Sequence, residues 1–201
     1  MTVTGKGDYT GTSAVKFVIV KANNTIKASN IIKDTSKKTQ TVKIKASVKY
    51  KAKLTYSSNS KSVKVDSSGK VTIAKNFTGK AVISITSAAT SKYNKAVVKI
   101  TVTVRPSGTV LYKLTNNTKG RMKVTWKKNS SVSGYRIQYS IDKNFKKGVG
   151  TVTIGKNKTT SGTLSKLKKG KTYYVRIATY KNVRNKVYSS WSKVKKITIK
   201  K

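Results

Sequence analysis

Apolar residues recur at every second position through most of this chain, and no 11-residue window repeats at 3.6. "AVISIT", "VKITVTV", "MKVTW" and "TYYVRIATY" are the plainest cases. Side chains at period 2 point to alternate faces of a strand, so such segments bury one face and wet the other. Thr, Val, Ile and Tyr fill these runs and suit half-buried strands. The clearest strands are expected over 14–20, 41–46, 63–65, 70–74, 81–86, 96–104, 122–127, 135–140, 150–154, 172–180 and 194–199. Turn signals divide them: "SSNS", "DSSGK", "NFTGK", "NTKG" and "KKGK". In "VKVDSSGKVTI", Asp66 and Gly69 supply the chemistry of a hairpin turn. Many short strands at this spacing predict an all-β chain of tandem antiparallel β-sandwiches.

The single proline, Pro106, follows one complete strand pattern and precedes another. Proline cannot donate to a central ladder, so a domain boundary is expected there. The expected units are 23–105 and 106–201. The remaining stretch, 1–22, carries "GDYTGTSAVKFVIV", which returns as "SKYNKAVVKITVTV" with Lys16 and Lys99 83 residues apart. Self-similarity at one domain length signals an array. Residues 1–22 are therefore expected to be the C-terminal hairpin of a truncated preceding repeat. A lone hairpin is marginally stable and has open edges. It is expected to dock on the middle unit or to associate with a second copy of the chain.

Residues 54–104, with the "SSN" turn, "VKVDSSGKVTI", "GKAVISIT" and the closing "VKITVTV", resemble the bacterial group 2 immunoglobulin-like domain of surface proteins. Residues 106–201 resemble the fibronectin type III domain. That likeness is carried by "MKVTWKK", "GYRIQYS", "LKKGKTYYVRI" and "SSWSKVKKITI", with Trp126, Leu167, Gly170 and Tyr173 in the family's characteristic places. The pairing is similar to parts of modular secreted or surface proteins of Gram-positive bacteria. The resemblance implies an extracellular or cell-surface location, with leader and anchor expected outside this chain.

Independently of those names, alternation in 172–180 puts Tyr173, Val175, Ile177 and Thr179 on a core face. Tyr174, Arg176, Ala178 and Tyr180 fall on the other. A buried Tyr173 needs a partner for its hydroxyl, expected to be a backbone group across the corner. Trp126 and Trp191 are both expected in the core; a sugar platform is the alternative for each.

Chemistry is poorly provided for. The chain has no Cys, His or Glu, and its four acids are Asp8, Asp34, Asp66 and Asp142, scattered through turn-like segments. General acid–base work at neutral pH wants His or a tuned carboxylate, and glycoside hydrolysis wants two facing carboxylates. Zinc lacks its preferred ligands, and no Asp-rich calcium loop or Gly-x4-Gly-Lys phosphate loop is present. No enzyme activity, metal or cofactor is expected. No apolar run approaches the length of a membrane-spanning helix.

The charge is the second strong constraint. Forty-six Lys and Arg against four Asp give a net +42. Residues 1–105 carry +18 and residues 106–201 carry +24, so the charge is spread and is not a tail. An A-rich genome inflates Lys but would raise Glu equally, so base composition alone does not explain the missing acids. Strand lysines such as Lys43, Lys45, Lys64, Lys99 and Lys123 are expected to face outward. Loop clusters gather Lys127 and Lys128, Lys146 and Lys147, Lys168, Lys169 and Lys171, and Lys193, Lys195 and Lys196. These are the candidate sites for anionic polymers: wall polymers, mucin or sulfated glycans. The alternatives are nucleic acid held through phosphates without sequence choice, a structural stalk, and a supercharged scaffold. Against nucleic acid as the main reading, Lys outnumbers Arg and no RNA- or DNA-reading motif is seen.

Overall fold

The structure is a computed structural model that describes residues 2–4, 6–8, 12–14, 18, 20–50 and 52–200. Among the described residues there are nineteen strands and no helix. The first two are β1 (Thr2–Thr4) and β2 (Thr12–Ala14). The next nine are β3 (Ile26–Ala28), β4 (Ile31–Asp34), β5 (Gln40–Lys43), β6 (Ala46–Val48), β7 (Leu54–Ser58), β8 (Val63–Val65), β9 (Lys70–Ile73), β10 (Gly79–Ser87) and β11 (Ala96–Arg105). The last eight are β12 (Leu111–Thr115), β13 (Met122–Trp126), β14 (Gly134–Ser140), β15 (Gly150–Ile154), β16 (Ser161–Leu164), β17 (Thr172–Asn182), β18 (Lys186–Tyr188) and β19 (Lys195–Thr198).

Two separate cores organise them. The first draws on Ile44, Val63, Val71, Ile73, Ile83, Ile85, Ile100, Val102 and Val104. Its main sheet runs β4-β11-β10-β7, facing a three-stranded β5-β9-β8 sheet and the β3-β6 pair. Strand β10 shows why the pattern works: Ala81, Ile83 and Ile85 are buried and Lys80 is exposed. The register sets Ile83 opposite Ile100 and Ile85 opposite Val98. The β4–β11 pairing is parallel, with Ile31 opposite Val102; the other strand pairings are antiparallel.

The strand expected over 41–46 is two strands. Gln40–Lys43 pairs with β9, and Ala46–Val48 pairs with β3. Between them Ile44 turns into the core, and its N–H donates to Gly69 C=O at 2.9 Å. The chain changes sheets at that point, which a period of two cannot reveal. The β8–β9 hairpin turn is built on Asp66, whose Oδ1 accepts from the N–H of Ser68 and of Lys70. Gly69 there has φ +78, and a Cβ would meet the Tyr56 ring at 2.9 Å, so both backbone and space require glycine.

The second core gathers Leu111, Met122, Val124, Trp126, Tyr135, Ile137, Leu164, Leu167, Tyr173, Val175, Ile177 and Ile199. It lies between the β12-β13-β16 sheet and a five-stranded sheet, β15-β14-β17 with β18 and β19 both on β17. Tandem sandwiches in an all-β chain are thus what the pattern predicted.

The N-terminal hairpin pairs Thr2 with Ala14 and Thr4 with Thr12. The expected strand over 14–20 is described only in part. Val15, Lys16, Phe17 and Ile19 lie outside the described residues, and Val18 and Val20 are 87% and 80% exposed. Among the described residues β1 and β2 pair only with each other, while further along the chain Ala22 N–H donates to Lys92 C=O and Ala22 C=O accepts from Asn94 N–H, both at 2.9 Å.

Candidate polyanion-binding surface

The lysines expected to face outward do so: Lys43, Lys45, Lys64, Lys99 and Lys123 are exposed beside buried strand neighbours. All ten candidate loop and edge lysines are exposed as well. The structure divides them by place. Lys127 and Lys128 follow β13, and Lys127 N–H donates to Val110 C=O, at the end where the chain enters the second sandwich. The β14–β15 loop holds Lys146 and Lys147, and the β16–β17 turn holds Lys168, Lys169 and Lys171. Strands β14 and β17 are antiparallel with Ser140 opposite Tyr174, so these two connections share the opposite end. Gly170 N–H reaches Ile199 C=O, which brings the tip of β19 to the same place. Lys195 and Lys196 stand opposite Val175 and Tyr174 on the adjoining edge, with Lys193 just before them.

The acids are placed very differently. Asp142, the one acid of residues 106–201, accepts from the N–H of Asn144, Lys146 and Lys147. Those backbone bonds, with the Lys146 charge a lesser cause, hold its carboxyl below the usual carboxylate value. Asp66 is lowered likewise, first by the Ser68 hydroxyl and then by Lys70 N–H. Asp34 takes the Arg105 guanidinium at 2.8 Å, the one ion pair among the described residues. Three of the four acids therefore have a structural task, and the lysine field around them is not neutralised.

Tyr173 lies in the core, and its hydroxyl accepts from Lys168 N–H. Trp126 is 1% exposed, 5.3 Å from the Tyr135 ring, and its Nε1 has no acceptor.

Trp191 requires a correction. It is not a core residue but half-exposed on the outer face of the five-stranded sheet. The segment Ser189–Ser192 does not form a strand. Instead Ser192 N–H donates to Ile177 C=O, while Ile177 N–H donates to the Ser192 hydroxyl. Ser189 and Thr179 repeat the exchange. This arrangement sets the indole outward. The Arg176 guanidinium lies over it at 4.5 Å and over Phe145 at 4.1 Å. Arg136 lies 5.9 Å from the indole and 5.1 Å from the Tyr188 ring. Ala178, on this outward face, is only 1% exposed because the ladder of rings and guanidinium groups roofs it. Sequence reasoning put Arg176 outward but missed the ladder. The signal available was Arg at outward positions of "GYRIQYS" and "TYYVRIATY" in a chain that otherwise uses Lys.

Among the described residues no three His, Cys, Asp or Glu side chains gather as a metal site, and no helix is long and apolar enough to cross a membrane. No curated protein matches the chain. Among solved structures, the chain is similar to a computationally redesigned β-sandwich protein at 25% identity and TM-score 0.37, covering 47% of this chain and 90% of that one. It is similar to the FN1–FN3 domains of chicken CNTN1 at 16% identity and TM-score 0.43, covering 90% and 68%. A myokine structure aligns at 17% identity and TM-score 0.37, covering 47% and 100%. Residues 105–195, the second sandwich, match the family model of the fibronectin type III domain.

Proposed function

We propose that this is a non-enzymatic modular extracellular or surface protein, acting as adhesion module or spacer, whose lysine-covered faces hold anionic polymers. The units are 23–105, an immunoglobulin-like domain of the bacterial group 2 type, and 106–201, a fibronectin type III-like domain. A Gram-positive surface protein is the setting that best suits the pair. Anionic wall polymers, mucin and sulfated glycans are the partners, and the N-terminal hairpin supplies a contact between copies.

One observation carries this reading. Asp34 is paired with Arg105, and Asp66 and Asp142 hold backbone turns, while exposed lysines surround them. Three of the four acids are thus engaged by the fold, and the exposed lysines far outnumber them. A surface with so large an excess of cations attracts polyanions over long range and speeds their encounter.

The test is retention of the whole chain on immobilised sulfated, carboxylated and neutral polysaccharides at about 150 mM salt. Retention on both acidic matrices and none on the neutral one is expected. Equal behaviour on all three overturns the reading. A duplex DNA matrix that holds the chain to higher salt than either acidic polysaccharide replaces it with phosphate-directed nucleic-acid binding.

A further inference from the structure

Only five of the forty-six basic residues are Arg, and two of them lie together. Gln138 stands opposite Arg176, and Arg136 stands opposite Ala178, so the two guanidinium groups rise from diagonal positions of one outer face. The Trp191 indole contacts both. Bringing two cations together is unfavourable: burial, and then the Arg136 charge, pull the Arg176 pKa down. No acid stands among them to offset this. The one Asp of this domain is engaged by backbone N–H groups of its own loop.

The donors are also incompletely used. Arg176 Nε and Nη2 both donate to Gln138 Oε1, at 3.0 and 2.7 Å. Arg136 has no acceptor for its guanidinium among the described residues, and neither does the Gln138 NH2 group. Thr153 and Thr151 face outward opposite Arg136 and Gln138. The site therefore offers planar cationic forks beside hydroxyl and amide groups. A lysine surface provides point charges; an Arg fork matches a planar carboxylate with two parallel bonds.

Resting on the polyanion reading and narrowing it, we propose that Arg136 and Arg176 form a carboxylate-binding site for a uronic-acid polysaccharide. Carboxylates accept from the two guanidinium edges. Sugar hydroxyls pair with Gln138, Thr151 and Thr153, which an acidic polypeptide with few hydroxyls uses less well. Trp191 and its aromatic neighbours hold the cations in place, and Lys146, Lys147 and Lys196 flank the site and draw the polymer in.

The test uses the whole chain and three probes at equal anionic charge: polygalacturonate, polyglutamate and polyphosphate, titrated at about 150 mM salt. The charge-conserving double variant R136K/R176K is compared with wild type. Polygalacturonate affinity is expected to fall roughly tenfold, with polyphosphate affinity unchanged. The single variant R136K, which removes no hydrogen bond within the protein, is expected to lose roughly threefold and to keep the wild-type melting temperature. The site is refuted if the variants bind polygalacturonate as wild type does, or if all three probes weaken together. Wild-type binding of polyglutamate as tight as that of polygalacturonate assigns the face to an acidic polypeptide and refutes the sugar. Failure of wild type to bind any probe sinks the broader polyanion reading, whereas intact binding by R136K/R176K sinks this site alone.

Discussion

The hydroxyl of Tyr173 accepts a hydrogen bond from the backbone N–H of Lys168, 3.1 Å away across the β16–β17 turn. The ring packs in the core against Tyr139, and Leu167 beside the turn is buried. Tyr173→Phe keeps the ring and leaves Lys168 N–H without this acceptor. A loss of about 1 kcal/mol is expected, read as a lower urea midpoint with an unchanged slope. Tyr173→Ala removes the ring as well and is expected to cost about 3–5 kcal/mol.

Trp126 behaves differently because its buried Nε1 has no partner. Trp126→Phe loses volume but also removes an unpaired donor, so two effects oppose. It is expected to cost clearly less than Trp126→Ala, for which about 3–5 kcal/mol is the usual range. A loss in Trp126→Phe as large as that in Trp126→Ala would overturn this expectation.

Gly134 begins β14 where a Cβ would lie 2.1 Å from the Ile154 carbonyl oxygen and 2.8 Å from the Tyr180 hydroxyl. Backbone cannot yield as a flexible side chain can. Gly134→Ala is expected to destabilise by about 1–3 kcal/mol and to disturb the β14–β15 pairing. Amide hydrogen exchange at Tyr135 through Gln138 is the direct measurement.

Acid should act through two turns. Asp66 and Asp142 titrate below the ordinary aspartate value when folded, because backbone and hydroxyl donors favour their charged form. Depressed carboxylates contribute stability that is complete above the unfolded pKa and is lost as pH falls through the folded one. Stability from these two groups is therefore expected to be level from neutral pH to about pH 5 and to decline below pH 4. Asp142→Ala should flatten that decline. Carboxyl titration by NMR checks the direction at each site.

Salt should stabilise the protein. At +42, with one ion pair among the described residues, repulsion within the folded state outweighs attraction. Raising salt from about 10 mM to about 300 mM shortens the Debye length from roughly 30 Å to below 10 Å. The melting temperature is expected to rise across that range, and a flat curve would show that the charges are already compensated.

Strands with a plain apolar alternation are legible in the sequence alone. Val63–Val65 and Gly150–Ile154 match to the residue, and Ala96–Arg105 extends one residue beyond the expectation. Strands β3, β4, β7, β12, β16 and β18 were not among those expected: β3, β4, β16 and β18 have only three or four residues, and the five-residue β7, "LTYSS", and β12, "LYKLT", carry few apolar residues in alternation. Strand β4 also pairs in parallel with β11, across about seventy intervening residues, where no local turn announces the partner. The outward lysines were legible because they are simply the polar half of each alternation. The Arg136–Trp191–Arg176 ladder was not, since the indole arrives on a segment that is no strand and is positioned by serine hydroxyls.

That serine-tethered segment has a bearing on assembly. Strand β17 is engaged by β19 at Thr172–Val175, by Ser192 at Ile177, by Ser189 at Thr179 and by β18 from Tyr180 to Asn182. Its rim is thus covered by two short pieces joined by side-chain bonds. A foreign peptide adding to that rim would find no uninterrupted run of evenly spaced backbone donors and acceptors to follow, and would meet Lys186, Lys193, Lys195 and Lys196 along it. That rim of the five-stranded sheet is thereby a poor template for a strand added by another chain.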